Sequence, residues 1–299
     1  MTAATQLAEK LGSGKPALTA GCLPPYGADA ASVKKLAACF PASLDGVVVA
    51  DNPAKVRGSA LACAALLAAE KIQPVLSLIT RDRNRIALES DVLGASALGI
   101  KNFLCLTGAH QSLGASPQAA GAYDIDSTQL CRALSKMAAQ GLDFDGNKLP
   151  ATPSFGIAVA VHPYLRPVDL AILQLKKKVA AGAQVLFTDP IFDVAGFEQW
   201  MQEVRAAGLD KKAAILASVL PLTSVAQAEF LKARSGFAPI GDDVIRRLRS
   251  AADPAKEGVA IVAEIAGKVK TMPGVRGIHI LSDGCESLVP RIIEEARLA

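Results

Sequence analysis

Eight places along the sequence put polar or turn-forming residues directly behind an apolar run. They are Gly21-Cys22 with Pro24-Pro25, Asp51-Asn52, Thr80 through Arg85, Thr107-Gly108-Ala109-His110-Gln111, His162-Pro163, Thr188-Asp189, Leu220-Pro221 and Ser282-Asp283. Carboxylates are few in this set, and it holds two of the three histidines, His110 and His162. No two histidines and an acid share a metal-ligand spacing, and no local motif announces a Ser-His-Asp arrangement. Hydrolase and metalloenzyme chemistry therefore has little support, and no metal is expected. Positive charge is clustered twice. Arg81-Asp82-Arg83-Asn84-Arg85 either holds an anionic ligand or is solvated or internally paired, with Asp82 capping the next helix. Lys176-Lys177-Lys178 is either a solvated helix face or a phosphate contact near a rim.

The runs that carry these residues are Ala17–Cys22, Gly46–Ala50, Pro74–Leu78, Asn102–Leu106, Phe155–Val161, Gln184–Thr188, Ala213–Ser218 and Gly277–Leu281. Several are apolar at nearly every position, as strands covered on both faces are. Between them, apolar residues recur at i, i+3, i+4 and i+7 over Ala30–Cys39, Pro53–Ala69, Arg83–Leu98, Thr128–Gln140, Pro167–Ala181, Val194–Ala207, Val225–Arg234 and Glu286–Leu298. Asp126-Ser127 reads as a helix start and Gly208 as a helix stop. Two further helices are expected near Asp242–Ser250 and Asp253–Val269, between strands seven and eight. Strict β–α alternation implies parallel strands with crossover helices. Eight units in one chain of this length predict an α/β fold, a (β/α)8 TIM barrel forming a single domain over residues 1–299. A doubly wound sheet would need a glycine-rich phosphate loop, and neither GxGxxG nor GxxxxGK[ST] occurs. The longest expected loop is Thr107–Tyr123. In such a barrel, ligands bind at the C-terminal ends of the strands, where the eight clusters fall.

Composition closes off other classes. The chain is 51% apolar and 20% charged, which is not the profile of a disordered protein. A net charge of +4 gives no footprint for nucleic acid, and an aromatic content of 4% offers little base-stacking surface. No apolar run is long enough to span a membrane, and the first residues lack the pattern of a signal peptide. The six cysteines form no CxxC pair and read as reduced, mostly buried thiols. A cytoplasmic location is the expectation.

Taken in order, Pro24-Pro25, Asp51-Asn52, RDRNR at 81–85, LTG at 106–108, KKKVAAGA at 176–183, T-x-P-x-FD at 188–193 and LPLTS at 220–224 resemble the methylenetetrahydrofolate reductase family in its compact bacterial and archaeal form. The stretch NFLCLTGAHQ at 102–111 is especially similar to the family's flavin loop, and the likeness runs from about Ala17 to Leu298. The resemblance implies a (β/α)8 barrel with FAD bound noncovalently at its mouth. It implies hydride passage from NADH or NADPH to the flavin, then to 5,10-methylenetetrahydrofolate, giving 5-methyltetrahydrofolate. It also implies a homo-oligomer.

Carried over residue by residue, the resemblance assigns Gly108 to the flavin loop, with Thr107 and Ala109 beside it. Tyr123 is placed along the flavin, Gln174 against it, and Lys177 and Lys178 on the FAD phosphates. His162 stands where Tyr or Asn is usual, Ser77 where His or Gln is usual, and Ala50 where Thr is common. Thr188 lies beside the pterin. Three departures concern the substrate: Gly21 replaces a Glu proposed as proton donor, Ala109 replaces the loop Asp, and Asp189 replaces a pterin-contacting Gln. A carboxylate accepts the paired N–H donors of a pterin well, so Asp189 is the expected substitute for the loop Asp. Tyr26, Cys22 and His110 are close in sequence to the vacated positions, and of these His110 is best suited to proton transfer at neutral pH. The alternative is a folate-binding paralogue without flavin chemistry, acting as a partner subunit or in tetrahydrofolate-dependent methyl transfer.

Overall fold

The computed structural model describes residues 6–27, 29–53, 55–233 and 239–298. The eight apolar runs form strands β1 (Ala17–Cys22), β2 (Gly46–Val49), β3 (Pro74–Ile79), β4 (Asn102–Leu106), β5 (Gly156–Val161), β6 (Val185–Pro190), β7 (Ala214–Val219) and β8 (Val275–Ile280). They are parallel throughout and close as a barrel in chain order, with β8 returning to β1. The expected (β/α)8 barrel is therefore the observed one.

Helices α1 (Gln6–Gly12), α2 (Ala30–Ala37), α3 (Ala60–Ala69), α4 (Arg85–Ala97), α5 (Ser127–Gln140), α6 (Val168–Ala180), α7 (Val194–Ala206), α8 (Val225–Lys232), α9 (Asp242–Ser250), α10 (Pro254–Val269) and α11 (Val289–Glu295) accompany the strands. The two additional helices between β7 and β8 are α9 and α10. The last residue of the expected Val225–Arg234 helix, Arg234, lies outside the described residues. None of the described helices is long and apolar enough to cross a membrane.

Several boundaries differ from the sequence expectation, each for a local reason. The helix expected from Pro53 starts at Ala60, because Ser59 is its cap and the Asn52 side chain accepts the Arg57 N–H (2.8 Å) in the preceding loop. At α4 the cap is Asn84, whose Oδ1 accepts the Ala87 N–H (3.1 Å), and not Asp82. At α7 the cap is Asp193, so Asp189 caps no helix. Asp126 does start α5, closing a reciprocal capping box with Gln129. Past the end of α7, Gly208 adopts the left-handed conformation of a helix stop (φ +65°). The helix expected over Glu286–Leu298 is a short 3-10 turn, Glu286–Leu288, followed by α11.

Alternation along the strands divides the core in two. Leu18, Ala20, Val47, Val49, Leu76, Leu78, Phe103, Cys105, Val159 and Leu186 pack outward with the helices. Their neighbours Ala17, Val48, Val75, Leu104, Ala158, Val185, Phe187 and Leu216 pack together inside the barrel. Both faces are dry, which is why the runs are apolar at consecutive positions. Leu7 and Leu11, one turn apart on α1, join the inner cluster and close the barrel at its N-terminal end. Above that floor the inward positions turn polar. Thr19 Oγ1 lies 2.9 Å from Nδ1 of the fully buried His279, and Ser77 and Ser218 are each 1% exposed. Higher still, the inward set ends in the small or apolar Gly21, Ile79, Leu106 and Ala160, which opens the mouth. All six cysteines are unpaired; Cys22, Cys63, Cys105 and Cys131 are buried, and Cys39 and Cys285 half-buried.

Candidate functional site at the barrel mouth

A cleft of about 720 Å³ opens at the C-terminal ends of β4 and β5, roofed by the first turn of α5 and one face of α6. Ile79, Leu106 and Ala160 form its apolar base. Its polar wall comes from Thr107, Gly108 and Ala109 after β4, from Ser127 and Thr128 at the start of α5, from His162 after β5, and from Gln174, Lys177 and Lys178. The last three stand at i, i+3 and i+4 of α6, so helix geometry places them on one face. Lys177 also borders a second hollow of about 470 Å³, shared with Arg132, Lys136 and Phe144.

Lys178 is half-buried, and its Nζ donates to the Ala160 carbonyl at 2.6 Å. Burial pulls its ammonium below the usual lysine range, against the opposing pull of Asp189 and Asp126. Lys177 is exposed. Gly108 holds φ +86°, and a Cβ there would lie 2.8 Å from Ile79 Cγ2 and 3.3 Å from Arg81 Cβ. The loop thus crosses β3 at a distance only glycine permits.

The arginine cluster is internally paired. Arg81 forks onto Asp82 (both contacts 2.7 Å) and donates to the carbonyls of Ala109 (3.1 Å) and Asn52 (3.0 Å). It thereby ties the loops after β2 and β4 to the end of β3. Arg83 pairs with Asp51 and Asp91, and Arg85 forks onto Asp124 (both contacts 2.9 Å). Asp51 is buried and also accepts the Ile79 N–H (3.0 Å); burial pushes its carboxyl up although Arg83 opposes this. The anion-binding reading of this cluster is not supported.

The other candidates fall outside the cleft's lining. Ser77 lies below it in β3. Gly21 is near the end of β1, at the same mouth as Ala109, with Ser282 N 3.3 Å from where its Cβ would be. Thr188 is buried; its hydroxyl donates to the Asp189 carbonyl (2.8 Å) and accepts the Ser218 N–H (2.9 Å), so both roles are structural. His110 starts a short 3-10 turn, its Nδ1 2.7 Å from Ser112 Oγ, and its ring lies parallel to Tyr123 with centroids 6.2 Å apart. Tyr123 donates to Gln111 Oε1 (3.2 Å) and is 39% exposed.

One contact was not anticipated. His162 Nδ1 lies 2.9 Å from Asp189 Oδ2. Parallel pairing of β5 with β6 sets Val161 beside Thr188, and the next position along each strand brings the two together. The pairing register carries this signal, and the linear sequence does not. No group of three or more His, Cys, Asp or Glu among the described residues is arranged to hold a metal ion.

The chain matches the family model described as methylenetetrahydrofolate reductase over residues 27–297. It is 29% identical over 158 residues to methylenetetrahydrofolate reductase 2 of Saccharomyces cerevisiae, a match covering 48% of this chain and 25% of the yeast protein. A protein from Clostridium thermocellum, described as binding two copies of 5-methyl-5,6,7,8-tetrahydrofolic acid, superposes with a TM-score of 0.68 at 14% identity, covering 97% of this chain and 98% of that one. A 2,3-dimethylmalate lyase superposes at 0.53 and 13% identity, over 99% of this chain and 86% of its own. At these identities the two structures speak for the barrel alone. The family-model match begins after β1 and takes in β2 to β8 with every residue that lines the cleft, and the chain belongs to the methylenetetrahydrofolate reductase family.

Proposed function

We propose that the chain is a flavin-dependent oxidoreductase that interconverts 5,10-methylenetetrahydrofolate and 5-methyltetrahydrofolate, with NADH or NADPH as the electron source. The observation that carries this reading is the convergence of Gly108, Gln174, Lys177 and Lys178 on one cleft. Its volume lies in the range of cofactor pockets. Its donor set suits an anionic dinucleotide: two ammonium groups, an amide, and the N-terminus of α5, whose first turn lines the cleft beside the Asp126 carboxylate. FAD is therefore the proposed cofactor, and when bound it supplies the two-electron chemistry linking nicotinamide to folate.

In this reading Lys177 and Lys178 neutralise the phosphates, and the left-handed Gly108 lets the loop backbone approach the ring system. Asp189 faces the pterin. His162 occupies its Oδ2, so one carboxylate oxygen remains to accept a pterin N–H, in place of the two-point acceptance expected from the sequence.

Reconstitution tests the proposal. The purified protein should take up FAD, show flavin absorbance, and oxidise 5-methyltetrahydrofolate or reduce its methylene form. A colourless protein that binds tetrahydrofolates but takes up no flavin would favour the second reading, a folate-binding paralogue. Two observations favour that alternative: Gly21 and Ala109 bring no acid to the mouth, and the Clostridium thermocellum neighbour is described as binding methyltetrahydrofolate.

A further inference from the structure

We infer that His162 is the proton-transferring residue of this site and that Asp189 is the positioning residue that aims it; the inference rests on the oxidoreductase reading above. Both residues depart from the pattern of the resemblance, they lie 27 positions apart, and they are in contact. Asp189 is 18% exposed at its side chain and His162 45%, so the carboxylate sits beneath and the imidazole faces the cleft it lines. A carboxylate accepts only. The neutral ring therefore carries its proton on Nδ1, and Nε2 is left as the nitrogen available to a ligand. When the ring takes a second proton, Nε2–H becomes the donor and Asp189 offsets the charge.

Charged groups around the pair include Lys177 and Lys178 from α6, Asp126 at the start of α5, and Arg166 and Asp193 beside Tyr164. Tyr164, in the segment before α6, donates its hydroxyl to the Asp193 carbonyl (2.8 Å), and burial raises its phenol well above the usual range, so it is no competing acid. His110 does not line the cleft and is bonded to Ser112.

In the methylene substrate one carbon bridges two nitrogens. The bond from that carbon to the departing nitrogen breaks, the electron pair stays on nitrogen, and nitrogen takes the proton from His162 Nε2. The electron-poor carbon then accepts a hydride whose electrons derive from NADH or NADPH. One proton and one hydride convert the bridging methylene into a methyl group, and solvent reprotonates the imidazole. In the oxidative direction His162 removes the same proton.

Two measurements decide the inference. Nitrogen-15 NMR of histidine-labelled protein should show neutral His162 as the Nδ1–H tautomer, and Asp189→Ala should release it to the Nε2–H form. Wild-type His162 already in the Nε2–H form would overturn the positioning role. In steady-state kinetics, His162→Gln should lower kcat by roughly 100-fold, the low end for a general acid. It should also remove the fall in rate on the alkaline side of the pH profile, with KM for folate within about threefold. A kcat within twofold of wild type, or a retained alkaline limb, would overturn the inference while leaving the oxidoreductase reading intact. An inactive wild type that binds no flavin would overturn that reading, and with it the proton transfer.

Discussion

Replacing Gly108 with Ala adds one methyl group where the loop after β4 passes close over β3. Two costs follow from the geometry. At φ +86° an L-residue is strained by about 1–2 kcal/mol. The new Cβ would also sit 2.8 Å from Ile79 Cγ2 and 3.3 Å from Arg81 Cβ, so the loop or β3 must give way. Overpacking of this kind typically costs about 1–3 kcal/mol. The sum is roughly 2–5 kcal/mol. At about 2.1 cal/mol/K of unfolding entropy per residue, a chain of this size would lose roughly 3–8 °C in melting temperature. Gly99→Ala is the control: its φ is +81°, but nothing lies within 4 Å of the added methyl, so only the strain applies. Urea unfolding of both variants, with FAD binding measured in parallel, separates the two terms. Gly108→Ala should be less stable than Gly99→Ala by at least about 1 kcal/mol and should bind FAD more weakly, because Ile79 and Gly108 both line the cleft. Equal stabilities would refute the argument from close packing.

Lys177→Ala with Lys178→Ala should weaken FAD binding, with the loss growing as salt is lowered; unchanged flavin occupancy would return both lysines to the solvated surface. Asp189→Asn should leave FAD bound and weaken folate by about 1.5–3 kcal/mol, roughly tenfold or more, read by titration calorimetry; affinity within twofold of wild type would remove Asp189 from pterin binding. Burial holds His279 at about 3, far below the usual imidazole value, so the folded state keeps it neutral while the unfolded chain takes up a proton. Stability is therefore lost as pH falls from about 6.5 towards 3, by about 2 kcal/mol between pH 7 and 5 from this group; the same urea-derived slope in His279→Gln would place the titration elsewhere. Arg85 holds Asp124 at about 2, so this pair stabilises the fold above the ordinary Asp range of about 3.9 and stops doing so as pH falls towards 2; Arg85→Met should raise the Asp124 midpoint seen by NMR.

The barrel was legible because its strands are buried twice over. Runs such as Ala17–Cys22 and Asn102–Leu106 are mostly apolar on both alternations, as strands covered on both faces are, and their regular alternation with helical patterns settles the reading as parallel strands. Helix α1 was missed because its seven residues carry two buried leucines and no longer period. The sequence suggests too early a start for α3 because apolar content continues through a loop that Asn52 and Ser59 organise with side-chain oxygens. In the site, Gln174, Lys177 and Lys178 could be read together because helical spacing is local. The partners of Arg83 and Arg85 could not, since Asp51 and Asp124 reach them by tertiary routes, whereas Arg81 meets its sequence neighbour Asp82. The same holds for His162 and Asp189, which only the β5–β6 register makes neighbours.

The pairing of the three arginines also gives the mouth an electrical polarity. Each guanidinium on the β3 side meets a carboxylate, and Arg81 donates besides to two peptide carbonyls, so that arc presents little net field to a ligand. Cations outnumber acids on the α5–α6 side, where Lys177 borders both hollows and Arg132 and Lys136 stand with Asp126 and Asp143 around the second. A long ligand with one anionic end and one neutral end thus meets a compass needle's choice: its charge is drawn to the helices and its neutral head is left over the strands. Orientation would be decided during approach, before any hydrogen bond to the head group forms.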